Sequence, residues 1–124
     1  MRIRIYYEDT DTGGIVYHSN YLNFCERARS DAFFSKGMVP VLENGHFVAR
    51  KIIANYLRSA KLGDILDITS ELLQIRAASF ILKQTIIKDE KKIFEMEITL
   101  AFISFEGKPQ KIGVETKKLI TKLF

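Results

Sequence analysis

The sequence predicts an α+β domain in which one curved antiparallel sheet of five or six strands wraps round one long central helix. Three observations point there. A single stretch, about Ser19 to Lys36, spaces its apolar residues as a helix does. Several later stretches alternate apolar and polar residues with period two. Short polar turns join those stretches, as antiparallel neighbours require. A parallel arrangement needs a helix for every crossover, and only one long helix is available.

Taken in order, Arg2 to Tyr7 alternates, with Ile3, Ile5 and Tyr7 opposing Arg2, Arg4 and Tyr6, and reads as a short strand. Asp9-Thr10-Asp11-Thr12-Gly13-Gly14 is a loop, because Asp, Thr and Gly compete with regular backbone pairing. In the helix, Ser19 is placed to cap the start and Gly37 to stop the end. Tyr21, Cys25, Ala28 and Ala32 share one face, and Leu22, Phe24, Phe33 and Phe34 widen the apolar surface beyond a single stripe. Such a helix wants cover on more than one side. Phe47 to Ala60 reads as a long strand, followed by a bend at Lys61–Asp64. Ile65–Arg76, Ser79–Lys88 and Ile93–Phe105 are the next strands, with a turn at Asp89–Lys92 between the last two. After a turn at Glu106–Pro109, a short strand and a short lysine-rich helix complete the reading.

Length and composition bound the function. The 124 residues suit one domain, 1–124, able to bury roughly two-thirds of its unfolded surface. At 47% hydrophobic and 27% charged, the chain is neither disordered nor fibrous. No apolar run approaches the roughly 20 residues of a membrane span, and the first residues lack the apolar stretch of a signal peptide. The one cysteine, Cys25, forms no internal disulfide, which points to the cytoplasm. One cysteine and two histidines, His18 and His46, argue against a metal site. The net charge of +4 suits a polyanionic partner such as a phosphorylated cofactor, but no nucleic-acid motif is present. Most lysines between Lys83 and Lys122 are interleaved with acids and read as solvated surface.

Chemistry concentrates between the first strand and the helix. Tyr7 to Leu22 packs three carboxylates, two glycines, a histidine and three tyrosines into one short segment. Glycines let a backbone approach a ligand closely. The first N–H groups of a helix have no internal partners and sit at the positive end of its dipole, so they polarise a carbonyl oxygen. An ionised aspartate nearby acts as base or nucleophile. Together these are the requirements of acyl transfer.

The run Tyr7–Leu22, continued by Glu26-Arg27-Ala28-Arg29, resembles the signature of the 4-hydroxybenzoyl-CoA thioesterase family, and within it the YbgC-like branch. The resemblance implies the hotdog fold and hydrolysis of an acyl-CoA thioester, most readily of a fatty acyl group, with coenzyme A as part of the substrate and no cofactor required. Asp11 matches the catalytic aspartate, preferred to Asp9 because it stands three residues before the matched Gly14. It attacks the carbonyl itself or activates water. His18 matches the helix-start position, where its backbone N–H would polarise the carbonyl or its imidazole orient water or the leaving group. Tyr7 either hydrogen-bonds near the reacting centre or belongs to the core. Glu26 either meets the acyl end or pairs with Arg27 or Arg29. For coenzyme A the resemblance points to Arg58, Arg76 and Ser79, although Ala77 and Ala78 stand where some relatives carry basic residues. It further implies a homo-oligomer, a dimer or a homotetramer built as a dimer of dimers, and a gene setting beside the Tol–Pal envelope system. The alternative is a non-catalytic module binding acyl thioesters or acyl carrier protein in envelope lipid metabolism. A dehydratase of the same fold carries its acid and histidine differently, and the carboxylate loop before the helix argues for hydrolysis instead.

Overall fold

The alternating start of the chain yields a strand of only three residues, β1 (Arg2–Arg4), in the computed structural model, which describes residues 1–124. The strand does not run on to Tyr7. The Asp9 carboxylate accepts the Tyr6 N–H at 2.9 Å and bends the backbone into a 3₁₀ turn at Tyr7–Asp9. Helix α1 (Asn20–Phe34) follows, then β2 (Val41–Leu42), β3 (Gly45–Tyr56), β4 (Ile65–Ile75), β5 (Ser79–Lys88), β6 (Lys91–Ile103) and α2 (Val114–Leu123). The strands form one curled sheet in the order β1-β4-β5-β6-β3-β2, with every neighbouring pair antiparallel. This is the predicted α+β arrangement with its long helix on the concave face.

Period two explains the core. Phe94, Met96, Ile98, Leu100 and Phe102 of β6 all point inward and are buried, opposite Phe80, Leu82 and Ile86 of β5. From α1, Tyr21, Phe24 and Cys25 close over them, and Tyr21 stacks on Phe94 with ring centroids 5.3 Å apart. Phe34 does not join this core and stays exposed. One inward position is polar. Gln84 of β5 is wholly buried, and its side-chain amide donates to the Cys25 carbonyl at 2.9 Å and to Ser70 Oγ at 3.0 Å. Its oxygen accepts from Arg29 at 2.9 Å. A buried amide left without partners costs about 1–3 kcal/mol, so these bonds fix where α1 sits.

Several boundaries differ from the sequence reading for local reasons. Ser19 stands at the start of α1, but its backbone is already helical and its hydroxyl caps nothing. A preceding turn, in which Asn20 N–H donates to the Tyr17 carbonyl, feeds the helix instead. The end behaves as expected: Gly37 takes a φ of 71° while Met38 N–H bonds back to the Phe33 carbonyl. β3 stops at Tyr56 because Leu57 and Arg58 N–H groups both turn to the Ile93 carbonyl. The β5–β6 turn is only Asp89-Glu90, both at positive φ, so pairing reaches Lys88↔Lys91. β2, absent from the sequence reading, is two residues long. The expected strand after Pro109 reduces to one bridge to Ile103, since proline offers no N–H to a ladder.

Lys88 closes on Asp64 at 2.7 Å, joining the end of β5 to the bend before β4. Burial pushes the Asp64 carboxyl up, but the Lys88 hydrogen bond, the Lys61 N–H and both lysine charges together hold it below the usual range. A depressed carboxylate stabilises the fold above its unfolded pKa, and that contribution fades as pH falls through the folded value. Melting temperature should therefore drop below about pH 4, and Asp64→Asn should flatten that limb while lowering stability at neutral pH. Thermal unfolding monitored by circular dichroism across acid pH checks both changes.

Candidate active site

Two hydrogen bonds tie the acidic loop to the start of α1. Both Tyr17 N–H and the Asn20 side-chain amide donate to the Asp9 carbonyl at 3.0 Å. The loop itself folds as a small hairpin, with Thr10 bridged to Val16 and Asp11 N–H donating to the Ile15 carbonyl at 2.9 Å. Val16 is the buried peg that holds the hairpin, its N–H donating to the Ala60 carbonyl at 2.8 Å. At the turn, Gly14 adopts a φ of 80°.

This scaffold separates the two candidate carboxylates. Asp9 is committed to structure through its bond to Tyr6 N–H. Asp11 is exposed at the hairpin tip, with one oxygen accepting from Gly13 N–H at 2.8 Å and no cation within ion-pair distance. Its carboxylate therefore keeps accepting capacity free for a ligand or water.

His18 lies in the turn just before α1, its ring exposed beside Tyr17 at a centroid distance of 4.5 Å. The His18 N–H has no acceptor within the chain, whereas the His18 carbonyl accepts from the Tyr56 hydroxyl at 3.0 Å. Tyr56 anchors the helix start from β3, and sequence reading assigned it no role. Its position as the last inward residue of a long strand was the available signal. Burial first, then the nearby Cys25, raises the Tyr56 hydroxyl above its ordinary value, so it keeps the proton it donates. Asn20 and Gln84 were also missed. Both act through backbone carbonyls whose locations only the folded chain reveals.

The other candidates divide. Arg58 lines the same groove as His18, Tyr21 and Tyr56, a hollow of about 290 Å³. Arg76 does not. It lies beyond the end of β4 and shares the outer sheet face with Arg50 and Lys51. At roughly 3.3 Å per residue, β4 separates it from the His18 end of the sheet by about 30 Å. Ser79 stands beside Arg76's end and is buried at 3% exposure. Tyr7 is 84% exposed in the 3₁₀ turn, neither strand nor core. Glu26 forms no ion pair with Arg27 or Arg29. Its carboxylate accepts from Ser30 Oγ at 2.8 Å, and Arg29 turns inward to Gln84. No three His, Cys, Asp or Glu side chains gather as a metal ion would need, and no helix is long and apolar enough to cross a membrane.

Comparison with known proteins gives the family. Residues 13–95 match the profile of the thioesterase superfamily. The acyl-CoA thioesterase YbgC of Helicobacter pylori is 41% identical over 113 residues, covering 84% of this chain and 85% of that protein. The long-chain acyl-CoA thioesterase FadM of Escherichia coli is 34% identical over 98 residues, covering 77% and 74% respectively. Among solved structures, a probable thioesterase from Bartonella henselae superposes with a TM-score of 0.85 at 30% identity, covering 91% of this chain and 97% of that one.

Cys25 carries the chain's one thiol, a candidate competing nucleophile. It is fully buried, and burial pushes its thiol up to about 12, with the Arg29 charge only partly offsetting this. The folded protein should therefore resist iodoacetamide at neutral pH and take up one equivalent only in denaturant, as intact mass spectrometry would show.

Proposed function

The chain belongs to the thioesterase superfamily and is an acyl-CoA thioesterase, and from that premise we propose that Asp11 and the helix start at His18 perform the hydrolysis. The observation that carries the proposal is a carboxylate free of any cation and, on the same braced loop before the helix, a backbone N–H free of any acceptor. The thioester carbonyl lies with its oxygen toward His18 N–H, where the helix dipole adds to the hydrogen bond. Asp11 forms the new C–O bond itself or draws a proton from the water that does. The C–S bond breaks, the sulfur takes a proton and coenzyme A leaves. Where water attacks, the free acid leaves directly. Where Asp11 attacks, a water molecule then hydrolyses the acyl–Asp11 anhydride, releasing the free acid and restoring the carboxylate. Water comes from solvent, and no cofactor takes part. The His18 imidazole, Glu26 and Tyr7 are supporting residues in this reading: His18 and Tyr7 at the mouth, Glu26 toward the acyl group. A fatty acyl substrate is favoured by the likeness to FadM and by the apolar surface inside the curled sheet. The non-catalytic alternative, with acyl carrier protein as partner, gains no support from relatives that are named as enzymes.

We further propose that the working unit is at least a dimer. β2 pairs only with Gly45 and His46, so the rest of β3 has a bare edge facing away from β6. Ile52, Ile53, Tyr56 and Leu57 are exposed along it. A bare apolar edge invites another strand. A second copy aligned antiparallel along β3 would set the Arg76–Ser79 end of one chain beside the His18 end of the other. Arg58, Arg76 and the Ser79 backbone then meet one coenzyme A, although a single chain keeps them apart.

Two measurements test these readings. Asp11→Asn should reduce thiol release from acyl-CoA by about 100-fold or more with an unchanged melting temperature; equal rates would remove Asp11 from the mechanism. Ile53→Asp should weaken self-association at least about tenfold in analytical ultracentrifugation, lowering activity in parallel. A wild-type chain that sediments as a monomer while fully active would sink the dimer reading.

A further inference from the structure

α1 rests nearest β4, leaving a trough between the helix and the inner face of β3. Along its helix side run Leu22, Glu26, Ser30 and Phe33, at helical spacing. Along its strand side run Tyr56, Ala54 and Ile52, whose cross-strand partners Phe94, Met96 and Ile98 point inward. One end of the trough is the His18 groove. The other end deepens into a second cavity of about 170 Å³, walled by Phe33, Phe47, Phe80, Leu100 and Phe124.

That cavity is built for hydrocarbon. Phe80 and Phe47 meet edge to face at 4.9 Å, and Phe124 stacks on Phe80 at 6.1 Å while standing edge-on to Phe33 at 6.4 Å. Three polar side chains also line it: Glu26, which accepts from Ser30 Oγ, and Arg29, which turns to Gln84. Its volume suffices for a benzene-sized group. Phe124 reaches the cavity only because α2 docks through the fully buried Ile120, and its own N–H bonds back to the Ile120 carbonyl.

We propose that this cavity receives the far end of the acyl chain and that Phe124 is its end wall, setting the longest chain the enzyme accepts. The inference rests on the thioesterase reading above and adds the substrate class: saturated chains long enough to run from the helix start past Glu26. At about 1.5 Å per residue, Glu26 lies about 9 Å and Phe33 about 20 Å along the helix from Asn20. A single aromatic ring held at His18 does not span that distance.

The test is kcat/KM for saturated acyl-CoAs from acetyl to long-chain, on wild type, Phe124→Ala and Phe124→Leu, each checked for an unchanged fold by circular dichroism. Opening the wall should leave acetyl-CoA turnover unchanged and raise kcat/KM for chains beyond the wild-type optimum about tenfold, with Leu intermediate. Folded variants with the wild-type chain-length profile would overturn the proposal, as would a wild-type preference for aryl-CoA over every saturated chain. Calorimetric titration with free saturated fatty acids keeps the two readings separable. Longer acids binding more tightly to Phe124→Ala than to wild type support the end wall even if no thioester turns over, an outcome that would count against the catalytic reading alone. Unchanged fatty-acid affinities would count against the end wall whatever the activity.

Discussion

The seat of α1 on the sheet rests on Gln84. Apolar contact alone lets a helix slide, because dispersion and burial are not directional. The Gln84 amide is directional. It bonds the Cys25 carbonyl in the middle of α1 and Ser70 on β4, and it holds Arg29 one turn further along. These bonds form in a dry interior, where breaking one leaves a polar group unpaired. The position of the helix start follows from that anchor, and so does the width of the trough beside β3. Tyr21 and Phe94, stacked nearby, resist rotation of the helix about the same point.

Given a fixed helix start, the loop before it divides its labour. Asp9 and Asn20 spend their hydrogen bonds on holding shape, as does the Val16 peg. Asp11 and the His18 N–H are left with capacity to spare. The proposed hydrolysis would develop charge at these two groups, and it needs them rigidly placed yet not already neutralised. The neighbours of Asp11 and His18 supply the first condition by satisfying one another.

The sheet imposes a second constraint. Its order places a long strand next to a two-residue edge, so most of β3 is exposed on one side. The same order puts the cationic Arg76 corner and the His18 corner at opposite ends. The twofold arrangement proposed above would answer both, pairing the bare edge and bringing unlike corners together. α2 plays a different part. It covers no catalytic group, yet it carries Phe124 into the far end of the trough.

Periodicity determined most of this architecture. Alternation along Ile65–Ile75, Ser79–Lys88 and Lys91–Ile103 requires strands, and the helical spacing of Tyr21, Cys25 and Ala28 requires one helix over them. The density of acids and glycines before that helix, and its family resemblance, singled out Asp11 and His18. Residue order could not say which chain segments would compete for a given hydrogen bond. Tertiary contacts decided that Tyr56 would grip the His18 carbonyl and that Gln84 would lie beneath Cys25. They also decided that Arg58 and Arg76 would stand far apart, although both lie toward the ends of predicted strands. Local pattern reports which face of an element is apolar; where two elements cross depends on partners distant in the chain, and only the closed fold supplies them.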